Sequence, residues 1–417
     1  MFKLLKTMII SFVMLSLVWG QFNDTVPTTH WIYKSIDHLQ FAGHLQSLEQ
    51  ATRPYTRGRI ISALKKINPL TIKRASTKLE YRRLIDEFQN EIDILESDQN
   101  MIATGKFQPA INYNDNLYYN TRFSAGFDLW ENFVVKYSAI IDNSLQQGYE
   151  WRGFMGYQDQ IYMAYVNDRM ALKFGRDYVD WGYGKKGNLL ISDNSRPMDM
   201  LSLKVRTKNV SFQSLVSQLD KMYNAERYLT ALRIEINPLR DLYIGLGQAA
   251  LYGGESRPVD FTLSNPFSFY SFTQDNDNKS LNALVYFDLA YKLLDDFRIY
   301  SELLIDDFQI DSGEKTTLEP DEIGYTIGVD AFDLYYNMDG YIEFTKVRNR
   351  TYNVPDRRPF EKFLHKNQFI GHSLGTDFES YLLHLDGWIN NHYKMGFGLY
   401  TLRKGEGTVR GEFTEPW

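Results

Sequence analysis

Ala171-Leu-Lys-Phe-Gly-Arg176 and Leu201-Ser-Leu-Lys-Val-Arg206 frame the stretch that decides the fold, with DYVDWGYGKKGNLLISDNSRP (Asp177–Pro197) between them. Both framing segments alternate. Leu172 and Phe174 share one face, as do Leu201, Leu203 and Val205, while Lys173, Ser202, Lys204 and Arg206 take the other. A period of two with one apolar face is the mark of a β-strand. A long loop rich in Gly, Trp and Asn between two such strands points to a sheet whose loops on one side carry the function.

The same alternation runs outward in both directions. Toward the N-terminus, Arg122, Ser124, Gly126 and Asp128 alternate with Phe123, Ala125, Phe127 and Leu129, and Phe133, Val135, Tyr137, Ala139 and Ile141 share a face. Toward the C-terminus, Arg233 and Glu235 alternate with Leu232, Ile234 and Ile236. Arg298, Glu302 and Asp306 oppose Phe297, Ile299, Leu303 and Ile305, and Lys394 and Gly396 oppose Tyr393, Met395, Phe397 and Leu399. Such segments exceed the roughly 5–6 residues of an ordinary strand and can cross a bilayer when tilted. Charges recurring on the polar face fit a wet lumen, with apolar side chains toward lipid.

The breaks between segments alternate in length. Short ones fall at Leu129–Asn132, Asn167–Asp168, Lys208–Asn209, Asn237–Asp241, Leu294–Asp296, Phe332–Asp333 and Asn390–Asn391. Long ones fall at Ser144–Tyr157, Asp177–Pro197, Gln218–Glu226, Leu251–Lys279, Gln309–Glu322 and Arg348–Asp377. Tight periplasmic turns and long exterior loops are the habit of outer-membrane barrels. The pattern therefore predicts a mainly β protein, a transmembrane antiparallel β-barrel of about 16–18 strands over residues 101–417, in the bacterial outer membrane. Closure calls for an even number, and about fifteen segments can be traced. Thr408–Trp417 is the candidate sixteenth strand, although Glu415 and Pro416 spoil its alternation; the equal alternative is a chain truncated at its C-terminus.

Residues 21–100 carry a helical period instead. His30 to Leu39, capped by Thr28 or Thr29, Arg57 to Ile67, capped by Thr56, and Ser76 to Leu95 predict a small periplasmic bundle that plugs the barrel. Before it, Lys3 and Lys6, the apolar run Met8–Trp19 and the small-residue site ending at Gly20 read as a signal peptide over residues 1–20. The run is shorter than the roughly 18 residues an anchor needs.

Composition sets further bounds. The 417 residues have a net charge of −6, which argues against a nucleic-acid partner. Without Cys there is neither disulfide nor thiolate chemistry. The His residues form no HExxH or similar ligand pair, Gly245-x-Gly247 lies inside a strand, and no nucleophile motif is present. The expectation is a non-enzymatic chain with neither cofactor nor metal.

The segment Gly175-Arg176, Trp181-Gly182-Tyr183-Gly184, Leu189-Leu190, Ser192 and Asn194 resembles the central motif of the capsule assembly protein Wzi family of outer-membrane proteins. That resemblance extends in fold over nearly all of the mature chain and implies a barrel of about eighteen strands behind a helical bundle. It also implies a role in anchoring or organising capsular or related exopolysaccharide. The helical segment with HWIYKSIDHL and RPYTRGRIISAL resembles S-layer-homology helices, which implies contact with the cell wall; the barrel itself has outer-membrane lipid as its partner.

Sugars are held by rings over their apolar faces and by planar polar groups on their hydroxyls. In the central loop Tyr178, Trp181 and Tyr183 supply rings, and Arg176, Asp177, Asn188, Asp193 and Arg196 supply donors and acceptors. These eight are the candidate polysaccharide-binding residues. The competing reading folds the loop into the barrel mouth, its glycines serving turns and Arg176 and Asp177 making internal ion pairs. Phe267, Phe269, Tyr270 and Phe272 form a second candidate surface. A porin or substrate-specific channel is the alternative function.

Overall fold

The computed structural model describes residues 23–95, 101–114, 116–129, 132–143, 150–151, 154–276, 279–307, 321–334, 338–389 and 393–412. The signal peptide over 1–20, much of the 309–322 connection and residues 413–417 lie outside the described residues.

Fifteen long strands follow one another in a single antiparallel order. They are β1 Met101–Asn114, β2 Asn116–Leu129, β3 Phe133–Asp142, β4 Phe154–Val166 and β5 Met170–Asp177. Next come β6 Met198–Arg206, β7 Val210–Gln218, β8 Glu226–Leu239, β9 Leu242–Gly254 and β10 Asn282–Lys292. The last are β11 Phe297–Asp307, β12 Glu322–Ala331, β13 Met338–Val347, β14 Phe378–Trp388 and β15 Lys394–Lys404. At the short-turn end polar side chains close the hairpins: Asn167 Oδ1 accepts from the N–H groups of Arg169 and Met170 at 2.9 and 2.8 Å, an Asx turn.

Alternation gives the wall two faces, except on β15, which is exposed along its whole length. Outside, Tyr137, Met163, Leu172, Phe174, Leu201, Phe287, Ile327, Ile342 and Tyr381 stand exposed, an apolar band suited to lipid. Inside, Lys136, Arg233, Glu235, Asp288, Arg298, Glu302, Asp330 and Glu343 are buried. The sheet wraps around its contents. Lys136 on β3 reaches Asp24 at 2.7 Å, and Trp388 on β14 donates from Nε1 to Glu80 at 2.7 Å. The protein is an antiparallel β-barrel of the outer membrane.

Helices α1 Ile32–Phe41, α2 Arg57–Lys65, α3 Ala75–Glu87 and α4 Gln89–Leu95 precede it. Their core is Ile32, Ile36, Leu39, Ile60, Leu64, Leu84 and Phe88. Two expectations need correction. Neither α1 nor α2 receives a side-chain cap: α1 begins after Trp31, and Thr56 occupies the cap position of α2 without bonding through its side chain. The third helix is broken at Phe88, which turns its ring into the core beneath the Arg57 guanidinium, 4.7 Å away. Arg57 also binds Glu91 of α4 at 2.6 Å, which fixes the bend.

The bundle sits at the short-turn end. Arg74 lies 2.6 Å from Asp296, Arg59 Nη1 donates to the Asp168 carbonyl at 3.2 Å, and Phe41 stacks on Phe332 at 4.2 Å. His38 Nδ1 donates to Asp339 at 2.8 Å. Short turns face the periplasm in such barrels.

The expected wet lumen is filled instead. Its charges face the helical segment and the central loop rather than water, because each buried charge needs a partner.

At the other extreme, Thr408–Trp417 is not a strand where it is described. Gly411 N–H donates to the Thr408 carbonyl at 3.2 Å in a turn, and Val409 is fully buried in the core over the barrel mouth. The burial of Val409 and the pull of Asn367 on Arg410, at 2.9 Å, fold this segment back.

Candidate functional site

The central loop, 178–197, enters the lumen from the long-loop end and meets the helical segment there. Thr52–Arg53 pairs antiparallel with Asp180–Trp181, and Gly182 N–H donates to the Ala51 carbonyl at 2.9 Å. Carboxylates of the wall receive the loop's backbone. Glu302 Oε1 accepts from the N–H groups of Tyr183 and Gly184, both at 2.7 Å, and Oε2 accepts from Leu189 at 3.0 Å. Glu343 accepts from Lys185 N–H at 2.8 Å. Glu235 does the same for the helical segment, accepting from Gln50 and Ala51 at 2.6 and 3.1 Å. Each of these buried carboxyl side chains satisfies backbone N–H groups that have no ladder partner, so three wall residues fix two irregular segments.

The glycines have a steric reason. Gly182 has φ +136°, and a Cβ there would lie 2.3 Å from Glu302 Oε1, 2.5 Å from Tyr286 Oη and 2.6 Å from Asn188 Oδ1. A second loop, 348–377, closes over the first. Tyr352 Oη donates to the Leu189 carbonyl at 2.5 Å, Ser192 N–H to Ile370 at 2.8 Å, and Asn194 Nδ2 to Phe369 at 3.0 Å. Arg227, fully buried, holds this cover by donating to the carbonyls of Phe360, Lys362 and Leu364 at 2.6–2.8 Å.

The eight candidate residues divide. Trp181 is fully buried among Leu189, Leu190, Ile191 and Leu215, with its Nε1 donating to Gln213 at 3.2 Å. Asp177 is buried and accepts from Thr25 at 3.1 Å, Gln160 at 2.7 Å and Lys173. Tyr183 packs against Tyr300, ring centroids 6.2 Å apart, under the Arg298 guanidinium. Asn188 donates to Asp180 at 2.5 Å and accepts from Gly184 N–H at 2.8 Å. Burial, reinforced by the charge of Asp193, pushes the Asp180 carboxyl up to about 7.

The other four stay half-buried at the long-loop end. Arg176 forms a two-point pair with Asp199 at 2.9 and 2.6 Å, Tyr178 donates to Asp159 at 2.5 Å, and Arg196 covers the Tyr157 ring at 4.3 Å. Asp193 completes the set. Nearby, Arg410 lies over Phe369 at 4.4 Å. Of the second surface, Tyr270 is buried, while Phe267 stacks on Phe212 of the outer wall at 6.3 Å and stays exposed.

Sequence reasoning missed Glu302, Glu343, Glu235 and Arg227 as partners of the loops. Alternation marked Glu235 and Glu302 as lumenal, but the partners of all four are backbone groups 113–185 residues away, which carry no sequence signal.

The family model described as "Capsule assembly protein Wzi" matches residues 107–415. Among solved structures, the fold resembles Wzi of Escherichia coli, an outer membrane protein involved in group 1 capsule assembly and described as a carbohydrate-binding β-barrel. The TM-score is 0.65 and the identity 16%, over 93% of this chain and 86% of that one. Rh. blastica porin mutants align at TM-score 0.38 and 8% identity, over 72% of this chain and 94% of theirs. No curated protein sequence matches. A family match over well more than half its length, on a barrel whose central loop is seated by wall carboxylates, places the assignment beyond the motif alone: this chain belongs to the capsule assembly protein Wzi family.

Proposed function

We propose that this barrel is a plugged, non-catalytic anchor that binds capsular or related exopolysaccharide at its extracellular end. The observation that carries the reading is the meeting of Thr52–Arg53 with Asp180–Trp181 inside the lumen. A barrel stoppered from both ends is poorly suited to solute passage and well suited to presenting a rigid surface. The E. coli structure's description as carbohydrate-binding supports the same reading.

The contact surface falls on Arg176 at the end of β5 and the half-buried Tyr178, Asp193 and Arg196 of the central loop, with Tyr157 and Asp199 beside them. Trp181, Tyr183, Asn188 and Asp177 hold that surface from beneath. Arg196 over the Tyr157 ring, with Arg176 nearby, suits an acidic sugar, which Arg can engage through two parallel bonds. On the periplasmic side, the helices are proposed to touch the cell wall.

The test is equilibrium binding of purified protein to acidic and neutral polysaccharides, beside Arg176→Ala/Arg196→Ala. Acidic glycan should bind, and the double substitution should weaken it about tenfold, equivalent to about 1.4 kcal/mol. Absence of binding to any surface glycan, with steady conductance in planar bilayers, would favour the channel reading instead. Failure to sediment with cell-wall sacculi would remove the wall contact.

A further inference from the structure

A cleft at the periplasmic end has no part in the reading above. It encloses about 590 Å³ between helix α2 with residues 46–48 on one side and the turns joining β4–β5, β6–β7 and β8–β9 on the other. Six cationic side chains line it, Arg59, Lys66, Arg169, Arg206, Lys208 and Arg240, against one carboxylate, Asp168.

Part of that charge is already matched. Glu49, behind the cleft, accepts from Arg206 Nε at 2.6 Å and Arg59 Nη2 at 3.4 Å. Lys66, Arg169, Lys208 and Arg240 are exposed, and among the described residues none has a carboxylate within 4.0 Å. A second, independent feature points the same way. Arg206 is only 7% exposed, yet its Nη1 has no hydrogen-bond partner. Glu49 serves the other side of the guanidinium, so this buried N–H still lacks an acceptor, and the surplus positive charge around it favours an anionic one.

The surroundings select which anion. The only aromatic in the lining is Tyr243, which is buried and donates from its hydroxyl to Gln46 at 2.5 Å. No ring is therefore free to cover a sugar. Apolar side chains flank the cleft instead: Leu239 lines it at 64% exposed, and Val210 adjoins it at 39%. Strand ends at the short-turn side lie at the level of the periplasmic headgroups.

We propose that this cleft binds the phosphate of an anionic phospholipid from the periplasmic leaflet. Arg206 and Arg59 hold the phosphate oxygens, Lys66, Arg169 and Lys208 supply the attracting field, and the acyl chains run over Leu239 and Val210. Such a lipid locks the helical bundle to the turns beneath which it sits.

The experiment titrates full-length protein in neutral detergent with phosphatidylglycerol, phosphatidylcholine and inorganic phosphate, reading bound lipid by native mass spectrometry. Phosphatidylglycerol should bind at least about tenfold more tightly than phosphatidylcholine. Lys66→Gln/Arg169→Gln/Lys208→Gln, all on exposed positions, should bring the two lipids near parity without changing the β circular dichroism. Should that variant misfold, raising the salt on the native protein must erode the preference in the same way, since exposed charges are screened. Equal binding of the two lipids, or a preference that survives both treatments, overturns the proposal. Displacement of phosphatidylglycerol by millimolar inorganic phosphate overturns its lipid part and leaves a site for the free anion.

Discussion

Arg298, on the lumenal face of β11, holds Asp37 of helix α1 in a two-point ion pair, Nη1 to Oδ1 at 2.8 Å and Nη2 to Oδ2 at 2.9 Å. The same guanidinium reaches Asp330 on β12, with Nε at 3.0 Å and Nη2 at 2.6 Å. Lys185 of the central loop stands 2.8 Å from Asp330 and 3.9 Å from Asp37. Wall, helix and loop therefore share one charge cluster. Burial opposes the charge of Asp37, but Arg298 and then Lys185 hold its carboxyl well below the usual range.

Arg298→Met is predicted to be severe. It strips the guanidinium from the buried Asp330 and the half-buried Asp37 and leaves them only Lys185; breaking a buried pair in this way destabilises by about 3–5 kcal/mol. Thermal unfolding in detergent should fall markedly, and Arg298→Lys should recover only part of the loss, because an ammonium lacks the planar fork. An unchanged unfolding midpoint in Arg298→Met would show that the cluster does not hold the plug.

The His38 contact predicts a pH dependence. Its Nδ1 donates to Asp339 at 2.8 Å, and its Nε2 lies 3.2 Å from Thr77 Oγ1 and 3.6 Å from Asp333. Burial disfavours the charged ring, yet Asp333 and Asp339 overcome it and raise the pKa from 6.5 to about 10. The stabilisation is thus complete below pH 6.5 and is lost as pH rises through about 10. Protease protection of the helical segment should decline over that window in the native protein. His38→Gln should flatten the curve; an equally steep decline in the variant would assign the effect elsewhere.

Gly182→Ala should loosen the central loop. A φ of +136° and three polar atoms within 2.6 Å of the added Cβ leave it no room. Backbone strain alone is about 1–3 kcal/mol, and Glu302 must also retreat from its three N–H donors. Limited proteolysis should cut within 178–197 faster than in the native chain. Equal cutting rates would mean that the loop tolerates the shift.

Conductance should report two stoppers, not one. The native protein is predicted to be silent in planar bilayers. Removing residues 23–95 leaves the central loop seated on Glu302 and Glu343, so large steady currents should need both the deletion and a loosened loop, as in Gly182→Ala. Large currents from the deletion alone would show that the loop does not fill the lumen by itself.

The sequence by itself determined the barrel. Alternation such as Leu201, Leu203, Val205 against Ser202, Lys204, Arg206 is local, so its period and the spacing of the turns can be read without knowing any partner. The Trp181-Gly182 motif was legible for the same reason, as was the presence of lumenal charges on β8 and β11.

Only the tertiary structure decided what those charges do. Asp37 and Arg298 lie 261 residues apart, and nothing local says that one neutralises the other. Nor does sequence show that Trp181 faces the core rather than a sugar: an aromatic beside glycines suits either, and its burial comes from packing with Leu189, Leu190, Ile191 and the distant Leu215, its backbone paired with Thr52 of the helical segment. Burial and pairing are properties of the whole packed lumen, which is why the loop divides into Arg176, Tyr178, Asp193 and Arg196 at the surface and Asp177, Trp181, Tyr183 and Asn188 within.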